Sequence, residues 1–375
     1  MLSCSDNENE ISIPFVIENN RIILEAVVNG QKGRFIFDSG VMISLINISA
    51  RNLFPAGYTK REINEKLKTV FVYALNKIYF RDRVVKARSW LINRSDMLTY
   101  INETEGYDGI LGIRTFEGYW CELSFSKQSI VLHKEKPQSY LNYLPLKVLS
   151  KFDALYMPII IDNTVFYMNI DTGLQSGILF PNDVIKQKNN NECREIVSNE
   201  EVERYYLVKT GSIKILDETY NNMSIMTNSY SAQRRNYVSH NDMGLIGVNF
   251  LKYYDLLFDY RELRKGKTTG MYYKPIVPLS ERDYGFYSFL KDVPEPGILD
   301  FYLSDSGLEI ISIIKDSLVY TNYGLRPGTV ITKVNNRSIS NFTKEELLDP
   351  LFYQRVTEFS ILDEGHEKTI FLHNP

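Results

Sequence analysis

Short runs of Val, Ile, Leu, Phe and Tyr alternate with polar positions along most of the chain, and clusters of Asn, Gly and Asp punctuate them. Period-two alternation bounded by turn residues predicts strands rather than long amphipathic helices. The 26 Tyr and 20 Phe strengthen that expectation, because aromatic side chains suit a pleated, half-buried surface. Two stretches read as hairpins: Thr69 to Phe80, turning near Asn76, and Tyr206 to Ile213, which holds Gly211. The fold class that follows is mainly β.

The strand pattern is duplicated. Arg34-Phe35-Ile36-Phe37-Asp38-Ser39-Gly40 is answered by Tyr167-Met168-Asn169-Ile170-Asp171-Thr172-Gly173, an offset of 171 − 38 = 133. Gly109-Ile110-Leu111-Gly112 is answered by Gly244-Leu245-Ile246-Gly247, at 244 − 109 = 135. Glu122-Leu123-Ser124-Phe125 and Asp255-Leu256-Leu257-Phe258 return to 258 − 125 = 133. Residues 11–140 and 141–278 are therefore expected to be two copies of one β-rich unit. Two copies are too few for a solenoid. They predict a pseudo-twofold pair of lobes in which equivalent residues meet.

If equivalent residues meet, Asp38 meets Asp171. Two carboxylates held close cannot both ionise comfortably, so they share one proton and titrate in two coupled steps. One member then serves as base and the other as acid. Gly40 and Gly173 are expected to take backbone angles closed to residues with a Cβ. Asp108 and Asp242, near the second motifs, read as turn residues.

At these residues the sequence resembles the retropepsin-like and pepsin-like aspartic peptidases. In that family each lobe supplies Asp-Thr/Ser-Gly and an apolar-apolar-Gly strand threaded behind it. The resemblance implies two β-barrel lobes, a water activated between catalytic Asp38 and Asp171, and a peptide or protein substrate. It needs no cofactor and no metal. It also implies that the hydroxyls of Ser39 and Thr172 bond across to the opposite loop, and that flaps carry Tyr73 and Gly211. Val41 and Leu174 stand where the family carries a small residue after the Gly. The alternative is a catalytically inactive peptide-binding protein that uses the same cleft.

The repeat ends near residue 279, and Pro294-Glu295-Pro296-Gly297 marks a stiff turn soon after. A strand over Leu308 to Ile314 precedes the segment from Tyr323 to Ile339, which contains Gly324-Leu325-Arg326-Pro327-Gly328. A helix over Thr343 to Leu348 is expected next, with an N-cap at Asn341 or Thr343. This order resembles a PDZ domain, so residues 279–375 are expected to form a PDZ-like α+β domain. The resemblance implies capture of a polypeptide C-terminus as an added strand, with Tyr284-Gly285-Phe286 as the candidate carboxylate loop.

Composition narrows the field. At 375 residues and 44% hydrophobic content, the sequence suffices for more than one core. Its 43 basic and 46 acidic residues leave a net charge of -3 with no basic stripe, which disfavours nucleic acid as a partner. Cys121 and Cys193 form no CxxC pair and read as buried or lightly exposed thiols. His133, His240, His366 and His373 form no HExxH motif and read as surface residues. Gly266-Lys267-Thr268 lacks the earlier glycine of a phosphate loop, since Arg261 stands there. Cys4, followed by polar residues 5–10, resembles a bacterial lipoprotein lipidation site. Two readings stand open, a lipid anchor that places the protein in the cell envelope or an ordinary residue near the terminus.

Overall fold

The computed structural model describes residues 10–28, 30–41, 44–47, 58–64, 69–80, 83–93, 106–149, 154–174, 177–181, 184–185, 188, 193–198, 205–228, 243–261, 263, 270–278, 282, 298–304, 306–343, 346, 356–363 and 366–372. Cys4 and Tyr284-Gly285-Phe286 lie outside them. The first copy contributes β1 (Glu10–Glu18), β2 (Arg21–Val28), β3 (Gln31–Asp38), β4 (Ser44–Asn47), β5 (Tyr58–Asn64), β6 (Thr69–Phe80), β7 (Arg83–Asn93), β8 (Gly109–Gly112), β9 (Trp120–Ser124) and β10 (Ser129–His133). The second contributes β11 (Asn142–Pro145), β12 (Lys147–Leu149), β13 (Ala154–Ile161), β14 (Thr164–Ile170), β15 (Ile178–Pro181), β16 (Cys193–Ser198), β17 (Tyr205–Lys209), β18 (Ser212–Ile215), β19 (Glu218–Asn221), β20 (Ser224–Asn228), β21 (Met243–Ile246), β22 (Tyr254–Asp259) and β23 (Gly270–Pro275). The remaining strands are β24 (Ile298–Ser304), β25 (Gly307–Ile314), β26 (Val330–Val334), β27 (Arg337–Ser338), β28 (Glu358–Asp363) and β29 (His366–Phe371). The protein is mainly β, and no helix among the described residues is long and apolar enough to cross a membrane.

Local chemistry explains the tightest connections. The β1–β2, β13–β14 and β26–β27 hairpins turn on Asn19-Asn20, Asp162-Asn163 and Asn335-Asn336, all with positive φ. Asn and Asp tolerate the left-handed region better than other non-glycine residues, which matches the paired positive φ of a type I′ turn.

The protein forms two compact units. The first holds Met1–Pro158, Tyr167–Ile178 and Leu245–Asp283, so it includes both Asp-Ser/Thr-Gly loops. Within it six strands run antiparallel in the order β11-β23-β22-β9-β10-β1. At the centre of this sheet Leu123 of β9 faces Leu256 of β22. These two residues are equivalent in the repeat, so the local pairing is symmetric about them. Both are fully buried, with Leu257 and Phe258 beside them, and each such side chain removed from water contributes roughly 1.5–3 kcal/mol.

Among the described residues neither sheet closes into a barrel, which corrects the expectation of barrel-shaped lobes. β9 takes one of its two neighbours from the second copy, and the sheet extends through β22 and β23 to the terminal strand β11. β2 meets β6 only over Val27↔Tyr79 and Val28↔Ile78. A second correction concerns His133. It is buried, because it faces inward on β10, where Glu10 lies 2.9 Å from Nδ1 and Glu122 lies 2.8 Å from Nε2. Burial alone would raise the Glu122 carboxyl, but His133 and Lys127 hold it below the usual range.

Both expected hairpins are redrawn. β6 runs unbroken through Asn76, which pairs with Ala87 of β7, and its hairpin closes at Phe80↔Arg83. A lone Asn without a neighbouring Gly does not interrupt a strand whose alternation continues on both sides. Tyr73 lies on this strand, paired with Lys60 and Trp90. In the second unit, β17 and β18 do not pair with each other. β18 pairs β19 from Ser212↔Asn221, and β17 pairs β20 through Lys209↔Ser224, in one continuous register. The segment is one long strand that bends at Gly211 and turns back after Ile215. Asp162 fixes the bend by accepting hydrogen bonds from the Gly211 and Ser212 amides, both at 2.8 Å, while Lys188 pairs with its other oxygen at 2.7 Å.

The second unit holds Ile159–Phe166, Leu179–Gly244 and Tyr284–Pro375. Here β16 of the second copy pairs with β25 of the C-terminal segment at Ile196↔Ile314, Val197↔Ile313 and Ser198↔Ser312. Val197 packs on a buried cluster that includes Ile310, Ile313, Ile331 and Phe359. The flanking pairs Lys315–Glu195 and Arg194–Asp316 are solvent-reached, and such pairs add about 0–1 kcal/mol. The ladder and the apolar packing therefore dominate this junction. Further along, Thr343 and Glu346 form a reciprocal capping box at 2.7 and 3.1 Å, as expected for a helix start.

Candidate active site

β3 ends in Asp38, and β8 runs parallel to it with Asp38 opposite Gly112. The second copy repeats the arrangement, since the Asp171 amide donates to the Ile246 carbonyl at 2.9 Å. Each Gly-x-x-Gly strand leads into a single helical turn, Ile113–Phe116 or Val248–Leu251. Those turns are tied back to the aspartate loops through Ile113 N–H to Val41 C=O at 3.1 Å and Val248 N–H to Leu174 C=O at 3.2 Å.

The two loops are bolted together by their hydroxyls. Thr172 Oγ1 accepts from the Ser39 amide at 2.9 Å and donates to the Phe37 carbonyl at 2.8 Å. Ser39 Oγ accepts from the Thr172 amide at 3.0 Å and donates to the Ile170 carbonyl at 2.7 Å. Both residues are buried. Each hydroxyl thus fills its donor and acceptor roles on the opposite segment, and four buried hydrogen bonds fix the spacing of Asp38 and Asp171.

The glycines serve a different purpose from the one expected. Neither Gly40 nor Gly173 has positive φ. Space is the constraint: a Cβ on Gly40 would lie 2.7 Å from Asp171 Cγ, and one on Gly173 would lie 2.5 Å from Asp38 Oδ2. Each carboxyl packs against the Cα of the opposite loop. The Gly40 amide donates to Asp38 Oδ1 at 2.7 Å, the Gly173 amide to Asp171 Oδ1 at 2.9 Å, and the Leu174 amide to the same oxygen at 3.1 Å.

The carboxyls of Asp38 and Asp171 contact each other directly. Each residue as a whole is partly exposed, while the Asp38 carboxyl itself is turned into the buried contact. Burial of the carboxyl, the neighbouring Asp171 charge and the hydrogen bond between the two groups push Asp38 well above its ordinary value of 3.8, while the Gly40 and Gly173 amides pull the other way. Folding therefore favours protonated Asp38, and its contribution to stability is full below about pH 3.8 and is lost as pH rises through the folded value. Asp38→Asn mimics the neutral acid. Its unfolding free energy at pH 7 is expected to exceed that of the parent protein, with the gap closing below about pH 3.8; each tenfold in proton affinity corresponds to about 1.4 kcal/mol. Urea titration at pH 3 and 7 checks this, and equal stability at pH 7 would contradict it.

Val41 is partly buried and packs with Ile23, Ile36, Tyr107 and Ile110, so its bulk is taken up by the core. Leu174 is partly exposed and supports Asp171 through its amide. Asp108 is buried and pins the middle of the aspartate strand, with Oδ2 accepting from the Arg34 amide at 2.9 Å. Its place beside Gly109 gives no hint of this, because its partner lies 74 positions away. The sequence matches no model of a known protein family and shows no significant match among curated proteins.

Proposed function

We propose that this protein is an aspartic-type endopeptidase whose catalytic residues are Asp38 and Asp171. The observation that carries it is the direct contact of the two carboxyls inside a reciprocal lattice of hydroxyl and amide bonds. A structural carboxylate gains nothing from a like-charged neighbour, whereas an acid and a base that share a proton require one.

The coupled pair holds one proton between its two carboxyls. Backbone amides reach both carboxyls, Gly40 and Gly173 at Asp38 and Gly173 and Leu174 at Asp171, which stabilises the single negative charge of the pair. Asp38, raised by burial and by Asp171, holds the proton. Asp171 takes a proton from water as the oxygen attacks the peptide carbonyl carbon, and Asp38 gives its proton to the carbonyl oxygen. The resulting diol collapses as the proton on Asp171 passes to the leaving nitrogen and Asp38 recovers its own. Fixed donors in a partly water-excluded site stabilise the developing charge without reorganising.

In this reading residues 11–140 and 141–278 are two peptidase lobes. The C-terminal residues 279–375 are a PDZ-like domain that takes a polypeptide end along a sheet edge, and a lipid anchor on Cys4 places the protein in the cell envelope. Supporting the PDZ-like assignment are the β24–β25 hairpin, the one-turn helix Leu318–Thr321 capped by Ser317, and the positive-φ Gly324 and Gly328 before β26.

Incubation with a diverse peptide library from pH 3 to 8, read by mass spectrometry, tests the proposal. Internal cleavage with a bell-shaped pH dependence is expected, since only the singly protonated pair is active. The alkaline limb is expected above the ordinary carboxylate range, as the raised Asp38 requires. Binding of peptides without cleavage at any pH overturns it in favour of a silent receptor.

A further inference from the structure

The two aspartate loops are not anchored alike. In the second copy the Gly247 amide donates to the main-chain carbonyl of Gly177 at 2.7 Å. In the first copy the equivalent Gly112 amide donates to the side-chain oxygen of Ser44 at 3.1 Å. Ser44 and Gly177 are themselves equivalent, at 177 − 44 = 133, so a backbone acceptor in one loop is replaced by a hydroxyl in the other. Ser44 Oγ is in turn 2.7 Å from Thr115 Oγ1, and both residues are at most 1% exposed.

This pair sits one strand behind the chemistry. Gly112 is the register partner of Asp38 at the end of the β3–β8 ladder. Ser44 begins β4, which pairs β8 at Leu45↔Ile110 and Ile46↔Gly109. Thr115 belongs to the helical turn that follows Gly112. Removing the hydroxyl leaves a buried amide without an acceptor, which is unfavourable enough to shift the backbone. The shift falls on the residue that holds Asp38 in line, and a displacement of about 1 Å or less suffices to spoil proton-transfer geometry.

We infer that Ser44, oriented by Thr115, is a positioning residue for Asp38, and that the Gly112 amide behind Asp38 depends on a side-chain acceptor where the Gly247 amide behind Asp171 uses a main-chain one. The kinetic part of this inference rests on the peptidase assignment. The test compares Ser44→Ala, Thr115→Val, Thr115→Ser and the double variant Ser44→Ala/Thr115→Val in the full-length protein. Peptide cleavage and the titration of Asp38, followed by carbon NMR of labelled carboxyls, are both measured.

Ser44→Ala is expected to lower kcat roughly tenfold at unchanged KM and to displace the Asp38 titration. Thr115→Val follows it, Thr115→Ser recovers most of the loss by keeping the hydroxyl, and the double variant is no worse than Ser44→Ala because the pair acts as a unit. Parent-like kcat and Asp38 titration in Ser44→Ala, or losses that multiply in the double variant, overturn the inference. If Ser44→Ala does not fold by circular dichroism, the Thr115→Val and Thr115→Ser pair decides on the same two readouts. If the parent protein cleaves no peptide, the peptidase assignment alone falls, and the Asp38 titration across the variants still decides the role of Ser44.

Discussion

Asp38→Asn and Asp171→Asn are each expected to lower kcat by roughly 10²–10⁴-fold, the range that positioned acid or base groups supply. The fold should survive in both, because Asn keeps the size of Asp and an oxygen able to accept from the Gly40 or Gly173 amide. KM should change little, since the carboxyls act on the reacting bond rather than on the length of the peptide. The double variant is expected to be no worse than either single one, because the two groups share one proton and fail together. Steady-state kinetics on a peptide found by mass spectrometry, with circular dichroism as the control for folding, checks all three statements. Undiminished kcat in either variant would remove that aspartate from the mechanism. The pH profile adds a second check, since Asp38→Asn fixes a neutral group where the parent must hold a proton, and the alkaline limb set by that proton should disappear.

Much of this site is legible in the sequence because the duplication is written in short, local motifs. Asp-Ser/Thr-Gly and Gly-x-x-Gly recur at nearly constant offsets, and the structure places Asp38 beside Asp171 and Gly112 opposite Asp38. The strand starts and the turns at paired Asn and Asp residues are equally local. Features that depend on distant partners leave no such trace. Asp108 reaches Arg34, and Ser44 reaches both Gly112 and Thr115, over separations of 68 to 74 positions. Their residue types are common in loops, so composition near them says nothing. His133 reads as a surface residue because its two carboxylate partners come from different strands, Glu10 of β1 and Glu122 of β9.

Sheet pairing across long separations explains the larger differences. Alternation marks a strand but does not choose its neighbour. β9 has the same pattern whichever strands flank it, and its neighbours are β10 of its own copy and β22 of the other. β16 likewise could have formed an edge, yet it pairs with β25. The C-terminal segment is thus joined to the second copy by a hydrogen-bonded ladder and by Val197 in its core, not by the covalent backbone alone. Such a junction ties the register of β16 to that of β25, and through β17 it reaches the strand that bends at Gly211.

Gly173→Ala is expected to cost more than its size suggests, and the reason differs from the one its sequence context offers. Its φ is not in the left-handed region, so alanine would meet no backbone objection. The added methyl would instead lie 2.5, 2.6 and 3.0 Å from Oδ2, Cγ and Oδ1 of Asp38. The carboxyl cannot rotate clear, because it is held by the Gly40 amide on one side and by Asp171 on the other. Either the loop moves or the pair separates. A loop movement strains the four buried hydroxyl bonds of Ser39 and Thr172, each worth about 1 kcal/mol. Separation of the pair removes the part of the upward push on Asp38 that comes from Asp171 and leaves the part that comes from burial. Gly173→Ala should therefore lose at least about 100-fold in kcat and lower the thermal midpoint, and Gly40→Ala should do the same through Asp171, 2.7 Å from its added methyl. A downward move of the Asp38 titration in a folded Gly173→Ala protein would show that the pair has parted. Parent-like kcat would show that the loop has room which the close approach of Asp38 to the Gly173 Cα denies it.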